Sequence, residues 1–182
     1  MGNISFRPLE EKDLTCMLTW FTDERVLQFY EGRDYQCDLA SLREKYLERP
    51  DVPGFIIELE GNAIGYSQMY PVCGKDLKEY DYPETEERVF AMDQFIGIPE
   101  LWNQGIGSAY IRIALRYLIE QMNADAVLLD PHKDNARAVR AYEKAGFRIV
   151  KELPAHEMFE GRKVDCWLMV YRKPTNCEES NI

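Results

Sequence analysis

The sequence has few of the residues that most often carry metal or nucleophilic chemistry. Only two histidines, His132 and His156, occur among 182 residues, and the five cysteines include no C-x-x-C pair. Neither histidine has a cysteine or another histidine at metal-ligand spacing, so we predict no metal site. A G-x-S-x-G motif is also absent, which argues against an acyl-enzyme formed on an activated serine. The odd number of cysteines is typical of reduced thiols in the cytoplasm.

Long apolar runs and positive charge are scarce as well. No run approaches the length of a membrane span, and the first 13 residues lack the apolar core of a signal peptide. We therefore expect a cytoplasmic protein with no membrane partner. Lys and Arg number 22 against 32 Asp and Glu, which gives a net charge of −10. This balance argues against a nucleic-acid partner and favours cationic ligands, although an acidic surplus also improves solubility.

Periodicity predicts an alternating order of strands and helices in one domain over residues 1–182, with a frayed tail at residues 174–182. The segment before the second strand contains a predicted helix, capped by Asp38, with Leu39, Leu42, Tyr46 and Leu47 facing inward. The predicted strands are residues 4–9, 55–59, 63–70, 89–96, 126–129, 148–151 and 165–171.

The rest of the chain is organised around residues 91–110, where an apolar run is followed by Gly105-Ile106-Gly107 and then by apolar residues at helical spacing. This pattern predicts a strand, a loop and a helix whose first turn is residues 104–108. Backbone N–H groups at a helix start have no partner within the helix, and glycine allows a ligand to approach closely. The loop therefore predicts a phosphate site, and a tight turn before a core helix is the alternative explanation of the same glycines.

A second motif, N-x-R-A-x-x-x-Y-x-K-x-G-F, spans residues 135–147 and predicts a helix with an Asn cap and a terminating Gly. Together, the two motifs resemble the GCN5-related N-acetyltransferases (GNAT) over nearly the whole chain. More narrowly, residues 64–70, residues 92–95 and Asp130-Pro131 are similar to the aminoglycoside 6'-N-acetyltransferases. One departure is Trp102, which occupies the position three residues before the first glycine where the superfamily often has Gln or Arg.

The resemblance implies an α/β (α+β) fold, the GNAT fold, with a mixed central sheet, helices on both faces and a V-shaped split between the fourth and fifth strands. It also implies that acetyl-coenzyme A lies in this wedge, with its pyrophosphate on the glycine loop and its pantetheine along the free strand edge. The residues that the resemblance assigns to this cofactor are Phe95, Ile96, Ile98, Gln104, Gly105, Ile106, Gly107, Ser108, Asn135 and Ala138.

Acetyl transfer from a thioester to an amine needs a neutral nucleophile, an oriented carbonyl and a proton for the leaving thiolate. Asp93 is the candidate that binds and deprotonates the amine, because an unpaired carboxylate in an apolar strand is costly and predicts a cation from outside. An Asp bonded to nearby backbone amides is the structural alternative. The resemblance makes Tyr142 the general acid, whereas packing on the apolar face of its helix is the alternative.

Other candidates for the acceptor wall are less specific. Asp130 could hold a second ammonium or simply form the turn before Pro131. Residues 72–88 are highly charged and predict either a solvated loop or an acidic flap over a polycationic substrate. The predicted substrate-binding residues are Trp20, Tyr66, Gln68, Glu79, Asp93, Gln94 and Asp130. For Trp20 the alternative, which the residue type favours, is an ordinary packing aromatic.

The residues and the resemblance together predict an enzyme that uses acetyl-coenzyme A to acetylate the 6'-amine of kanamycin-type aminoglycosides by direct transfer, and so confers resistance. A polyamine or protein amine N-acetyltransferase is the first alternative, because only the acceptor wall would differ. A catalytically silent module that binds acetyl-coenzyme A is the second. We expect a monomer or a weak homodimer.

Overall fold

One mixed sheet of seven strands runs through the computed structural model, which describes residues 2–174. The strand order is β1-β2-β3-β4-β5-β7-β6, with β4 and β5 parallel and the other neighbouring pairs antiparallel. The strands are β1 (Ile4–Pro8), β2 (Gly54–Leu59), β3 (Asn62–Val72), β4 (Val89–Ile96), β5 (Ala126–Leu129), β6 (Arg148–Phe159) and β7 (Arg162–Arg172).

Helices cover both faces of this sheet. Ile56 and Ile57 are neighbours on β2 and therefore point to opposite faces. Ile57 belongs to a core cluster with the two long helices, and Ile56 belongs to a second cluster with the N-terminal helices. The helices are α1 (Leu14–Trp20), α2 (Glu24–Leu27), α3 (Leu39–Leu42), α4 (Lys75–Glu79), α5 (Ile106–Glu120) and α6 (Ala136–Ala145).

The ends of α5 and α6 follow from local sequence. Gly105 precedes α5 with φ 79°, a left-handed conformation that glycine adopts without steric cost. The Asn135 side chain accepts a hydrogen bond of 3.2 Å from the Ala138 N–H, which caps α6, and Gly146 ends this helix with φ 103°. Both helices predicted from the two motifs are therefore confirmed.

The fourth and fifth strands part early. β4 pairs with β5 at only three positions, Val89 with Ala126, Phe90 with Val127 and Ala91 with Leu128. Beyond this point, residues 92–96 of β4 pair only with β3. The predicted V-shaped split is thus confirmed, and it leaves one edge of β4 free.

Other predictions needed correction. Residues 72–88 are not a solvated loop throughout, because they contain α4 and bury Leu77, Tyr80 and Tyr82 in a third core cluster. Leu39 is 46% exposed and does not face inward, since α3 is only one turn long before a π-helical turn at Arg43–Leu47. The last two strands are longer than predicted.

The described part of the chain, residues 2–174, has no helix with the length and apolar character needed to cross a membrane. Apart from Pro174, the predicted tail lies outside the described residues.

We predict that Gly97→Ala lowers the free energy of unfolding by about 1–3 kcal/mol through overpacking. A Cβ at Gly97 would lie 2.3 Å from ring carbons of Trp20. The matched variant is Gly107→Ala, because a Cβ there meets no atom within 4 Å. Its unfolding free energy should stay the same or rise by up to about 1 kcal/mol. Urea unfolding of both variants measures the difference, and equal values would contradict the packing of Trp20 against this loop.

Candidate active site

The parting of β4 and β5 opens a cleft of about 620 Å³. Consecutive strand residues point to opposite faces, and the free edge of β4 lets both faces reach this space. Asp93 lies on one side of the edge with Gln68 and Tyr70, and Gln94 lies on the other side with Tyr142. The cleft therefore joins an acidic side to a phenol across a single strand.

The Asp93 carboxylate is held by two neutral side chains of β3. Gln68 is its register partner and donates from Nε2 to Asp93 Oδ2 at 2.7 Å, and the Tyr70 hydroxyl donates to the same oxygen at 3.2 Å. The Tyr80 hydroxyl lies 3.1 Å from that of Tyr70, and the Tyr66 hydroxyl donates to Gln68 Oε1 at 3.2 Å. The donors to Asp93 are side chains, in contrast to the backbone amides of the structural alternative.

The pKa of Asp93 is raised from its ordinary value of 3.8 to about 7, first by burial and then by the nearby charge of Asp130. The hydrogen bonds from Gln68 and Tyr70 lower the pKa by a smaller amount. Asp93 can thus change its protonation state near neutral pH, which suits a group that takes up a proton.

Two histidines pair with carboxylates on the far wall of the cleft. His156 Nε2 lies 3.0 Å from Asp130 Oδ2, and His132 Nε2 lies 2.8 Å from Glu157 Oε2. The hydrogen bond with Asp130 raises the pKa of His156, against the lowering effect of burial. Regular pairing of β6 with β7 is interrupted between Leu153 and Glu157. Glu157 lines the cleft, and the consecutive His156 contacts it through Asp130.

His132, Glu157 and Cys166 each place one atom of metal-ligand type within 4.8 Å of the others, a proximity that their sequence spacing did not indicate. Burial raises the pKa of the Cys166 thiol to about 12, so without an ion the thiol is protonated at neutral pH. His132 and Glu157 already satisfy each other by hydrogen bonding. Their arrangement is explained without an ion.

Tyr142 is 9% exposed, and its hydroxyl oxygen accepts a hydrogen bond of 2.6 Å from Gln94 Nε2. Burial raises the pKa of Tyr142, as does the charge of Asp93, so the phenol keeps its proton at neutral pH. The Gln94 bond lowers the pKa because it stabilises the phenolate. Gln94 was predicted to contact the substrate, and the structure shows it holding the phenol.

The glycine loop fits the phosphates of a nucleotide-type ligand. The first N–H groups of α5 have no acceptors within the helix, and the space in front of Gly107 is open for at least 4 Å around a Cβ position. Gly105, Gly107 and Ser108 line the cleft. Gln104 instead donates from Nε2 to the Glu100 carbonyl at 2.7 Å, and the Ile106 side chain is buried in the core.

The remaining predicted residues divide between the cleft and the core. Phe95, Ile96, Asn135 and Ala138 line the cleft, as predicted for the cofactor side. Four other predicted residues do not line the cleft. The side chains of Trp20 and Tyr66 are buried in the N-terminal core cluster, and that of Ile98 packs against the main core. Glu79 is exposed on α4.

Sequence reasoning missed several residues of the cleft. Tyr70 had a usable signal, because it follows Gln68 by two positions and so shares its face of β3. Arg137 also had one, because it lies between Asn135 and Ala138 in the second motif. Tyr80 and Glu157 reach the cleft, and His156 reaches Asp130, only through long-range packing.

Comparisons with known proteins agree with this architecture. The acetyltransferase (GNAT) domain model matches residues 10–155. Aminoglycoside N(6')-acetyltransferase type 1 of Klebsiella pneumoniae is 28% identical over 149 residues, which cover 80% of this chain and 74% of the relative. Spermidine N(1)-acetyltransferase of Escherichia coli (strain K12) is 24% identical over 159 residues, covering 86% and 78%. The structure of AAC(6')-Ib with ribostamycin and coenzyme A shares the fold, with a TM-score of 0.75 at 23% identity over 94% of each chain.

We predict that Asp93→Asn gains stability relative to wild type as the pH rises from about 5 to about 8. The folded pKa of Asp93 lies above its ordinary value, so the folded state binds more protons between pH 3.8 and about 7. The contribution of Asp93 to stability is present in full below that window and is lost as pH rises through about 7. Urea unfolding at both pH values measures the change.

Asp51→Asn is the matched control, because Asp51 is exposed in the loop before β2. The raised pKa would be contradicted if the unfolding free energy of Asp93→Asn, relative to wild type, increased with pH no more than that of Asp51→Asn does.

Proposed function

The chain belongs to the acetyltransferase (GNAT) domain family, and on that premise we propose that it transfers acetyl from acetyl-coenzyme A to the 6'-amine of kanamycin-type aminoglycosides. The observation that carries the proposal is the Asp93 carboxylate, held by Gln68 and Tyr70 at the free edge of β4 and across that edge from Tyr142. Acetylation removes a positive charge from the drug, and in this role the enzyme confers resistance.

The acidic side of the cleft supports a polycationic acceptor. Asp93, Asp130 and Glu157 all line it, in a protein with a net charge of −10. An aminoglycoside carries several ammonium groups, so one can bind at Asp93 while others lie near the opposite carboxylates. The relative from Klebsiella is named for the same acceptor, and the AAC(6')-Ib structure contains ribostamycin.

The glycine side supports the acetyl donor. The open helix start at Gly105 and Gly107 would hold the pyrophosphate of coenzyme A, and backbone groups of residues 92–95 on the free edge of β4 would hold the pantetheine. The thioester supplies the activated acetyl group when the donor is bound. Phe95, Ile96, Asn135 and Ala138 line this part of the cleft.

Asp93 binds the ammonium and accepts its proton, which leaves the neutral amine that forms the new C–N bond. Tyr142 donates its proton to the sulfur as the C–S bond breaks, and Gln94 stabilises the phenolate that remains. The nitrogen loses its second proton as the amide forms, and this proton returns to the Tyr142 phenolate through solvent. Asp93 releases the first proton to solvent, so one proton leaves per cycle. No side chain of the protein forms a bond to the acetyl group in this route.

A polyamine acceptor is the alternative that a specific observation favours. The same three carboxylates would bind spermidine, and the Escherichia coli relative is a spermidine acetyltransferase. A rigid aminosugar and a flexible polyamine differ in how many carboxylates they reach at once, which rates of acetylation can resolve.

Thiol release from acetyl-coenzyme A tests the proposed function directly. We expect kcat/KM to be highest for a kanamycin-type drug with a 6'-amine, much lower for its 6'-hydroxyl analogue, and lower again for spermidine and an amine-bearing peptide. Mass spectrometry of the product identifies the acetylated nitrogen. A preference for spermidine would replace the aminoglycoside assignment, and no thiol release with any acceptor would point to a silent binding module.

We predict that Tyr142→Phe lowers kcat roughly ten-fold or more while leaving the fold intact, because it removes a proton donor and keeps the ring. Tyr117→Phe is the matched control, since Tyr117 lies on α5 and packs against Phe6 and Phe55. Steady-state kinetics with the preferred acceptor measure both variants. A wild-type kcat for Tyr142→Phe would return Tyr142 to a packing role.

A further inference from the structure

The Arg137 side chain lies between two aromatic rings on the donor side of the cleft. Its Cζ is 3.8 Å from the centre of the Trp102 ring and 4.4 Å from the centre of the Phe29 ring. The two rings meet edge to face, with centres 5.9 Å apart. Trp102 is fixed in turn, because its Nε1 donates to the Ile96 carbonyl at 2.8 Å. The guanidinium is therefore held in place by its two planar neighbours.

This arginine lacks an anionic partner among residues 2–174, where it forms neither an ion pair nor a side-chain hydrogen bond. The side chain is half-buried, and burial lowers the pKa of Arg137, although a guanidinium remains charged at neutral pH. Aromatic faces stabilise the cation but leave its in-plane N–H donors without acceptors.

The position of Arg137 indicates which kind of anion would pair with its guanidinium. Arg137 and Trp102 line the same cleft as Gly105, Gly107 and Ser108, at the start of α5. The helix start supplies N–H donors but no full positive charge, and the Trp102 side chain supplies none. A planar guanidinium stacked on an aromatic ring presents its N–H fork for bidentate contact with phosphate.

We propose that Arg137 binds a phosphate group of coenzyme A and that Phe29 and Trp102 preorganise it for this contact. The inference rests on the proposed function, because it needs coenzyme A as the donor. It adds a charged phosphate-binding side chain beside residues 99–108, which contain no Lys or Arg. It also gives a role to Phe29, which is 36% exposed on the turn after α2.

Calorimetric binding of three ligands tests the proposal without measuring catalysis. The ligands are coenzyme A, 3'-dephospho-coenzyme A and pantetheine, and the proteins are wild type, Arg137→Gln and Arg137→Lys. Arg137→Gln should weaken coenzyme A roughly ten- to hundred-fold, as expected for a lost charge-assisted contact, and should leave pantetheine unchanged. The affinity of Arg137→Lys for coenzyme A should lie between those of wild type and Arg137→Gln, because lysine keeps the charge and lacks the planar guanidinium. Arg116→Gln, an exposed arginine on α5, is the matched control.

The dephosphorylated ligand separates the two phosphate sources. If Arg137 contacts the 3'-phosphate, wild type and Arg137→Gln should bind 3'-dephospho-coenzyme A equally. If Arg137 contacts the pyrophosphate, the variant should bind this ligand less tightly than wild type does.

Two results would overturn the proposal while leaving the proposed function intact. One is unchanged binding of coenzyme A by Arg137→Gln. The other is an equal loss for coenzyme A and pantetheine together with a lower melting temperature, which would make Arg137 a structural clamp between Phe29 and Trp102. Wild-type protein that binds no coenzyme A would contradict the proposed function itself, and the inference with it.

Discussion

Pairing between β4 and β5 ends after Ala91 and Leu128, and the rest of the cleft depends on this parting. A parallel pair that continued to the end of β4 would use the backbone groups of residues 92–96 and close the space between α5 and α6. With the edge free, the alternation of side chains on β4 supplies polar groups to both sides of the cleft. Asp93 faces the acidic side, and Gln94 faces the phenol of Tyr142. In the proposed reaction, one strand therefore aligns the group that takes a proton with the group that gives one.

The electrostatic surroundings of Asp93 match the position of its side chain in the cleft. Its bound donors are neutral, and another carboxylate, Asp130, lies near enough to raise its pKa. Such a site disfavours an unpaired carboxylate and favours the binding of a cation. An ammonium would offset both the cost of burying the Asp93 charge and its repulsion from Asp130. On the donor side the imbalance is opposite, since Arg137 is a cation without an anionic partner among residues 2–174. The two halves thus suit a polycationic acceptor and a phosphorylated donor.

The elements that sequence patterns predicted well are those that local chemistry determines. The cap at Asn135, the stop at Gly146 and the glycine start of α5 each depend on residues within one turn, so their sequence signals were sufficient. Residues brought in by long-range packing were not accessible in this way. His156 reaches Asp130 through the interruption of β6 between Leu153 and Glu157, where Ala155 has φ 50°. Pro154 indicates a break in the strand, but it does not indicate which residue the break brings to Asp130. Trp20 shows the opposite error, because it was predicted to bind the substrate and instead packs against Gly97.

The central claim is that the charge of Asp93 binds and deprotonates the acceptor amine. The most direct measurement is kcat/KM of wild type and Asp93→Asn for a drug with a 6'-amine, from about pH 6 to about pH 9, with circular dichroism to verify the fold. An ammonium–carboxylate hydrogen bond contributes roughly 1.5–3 kcal/mol, so the account predicts about a ten- to hundred-fold loss from binding alone, and a further loss in kcat if the proton transfer is lost too. The wild-type profile should also rise with pH through about 7, where Asp93 ionises, and the variant should lack that step. Acetylation by Asp93→Asn at the wild-type rate across this range would contradict the account.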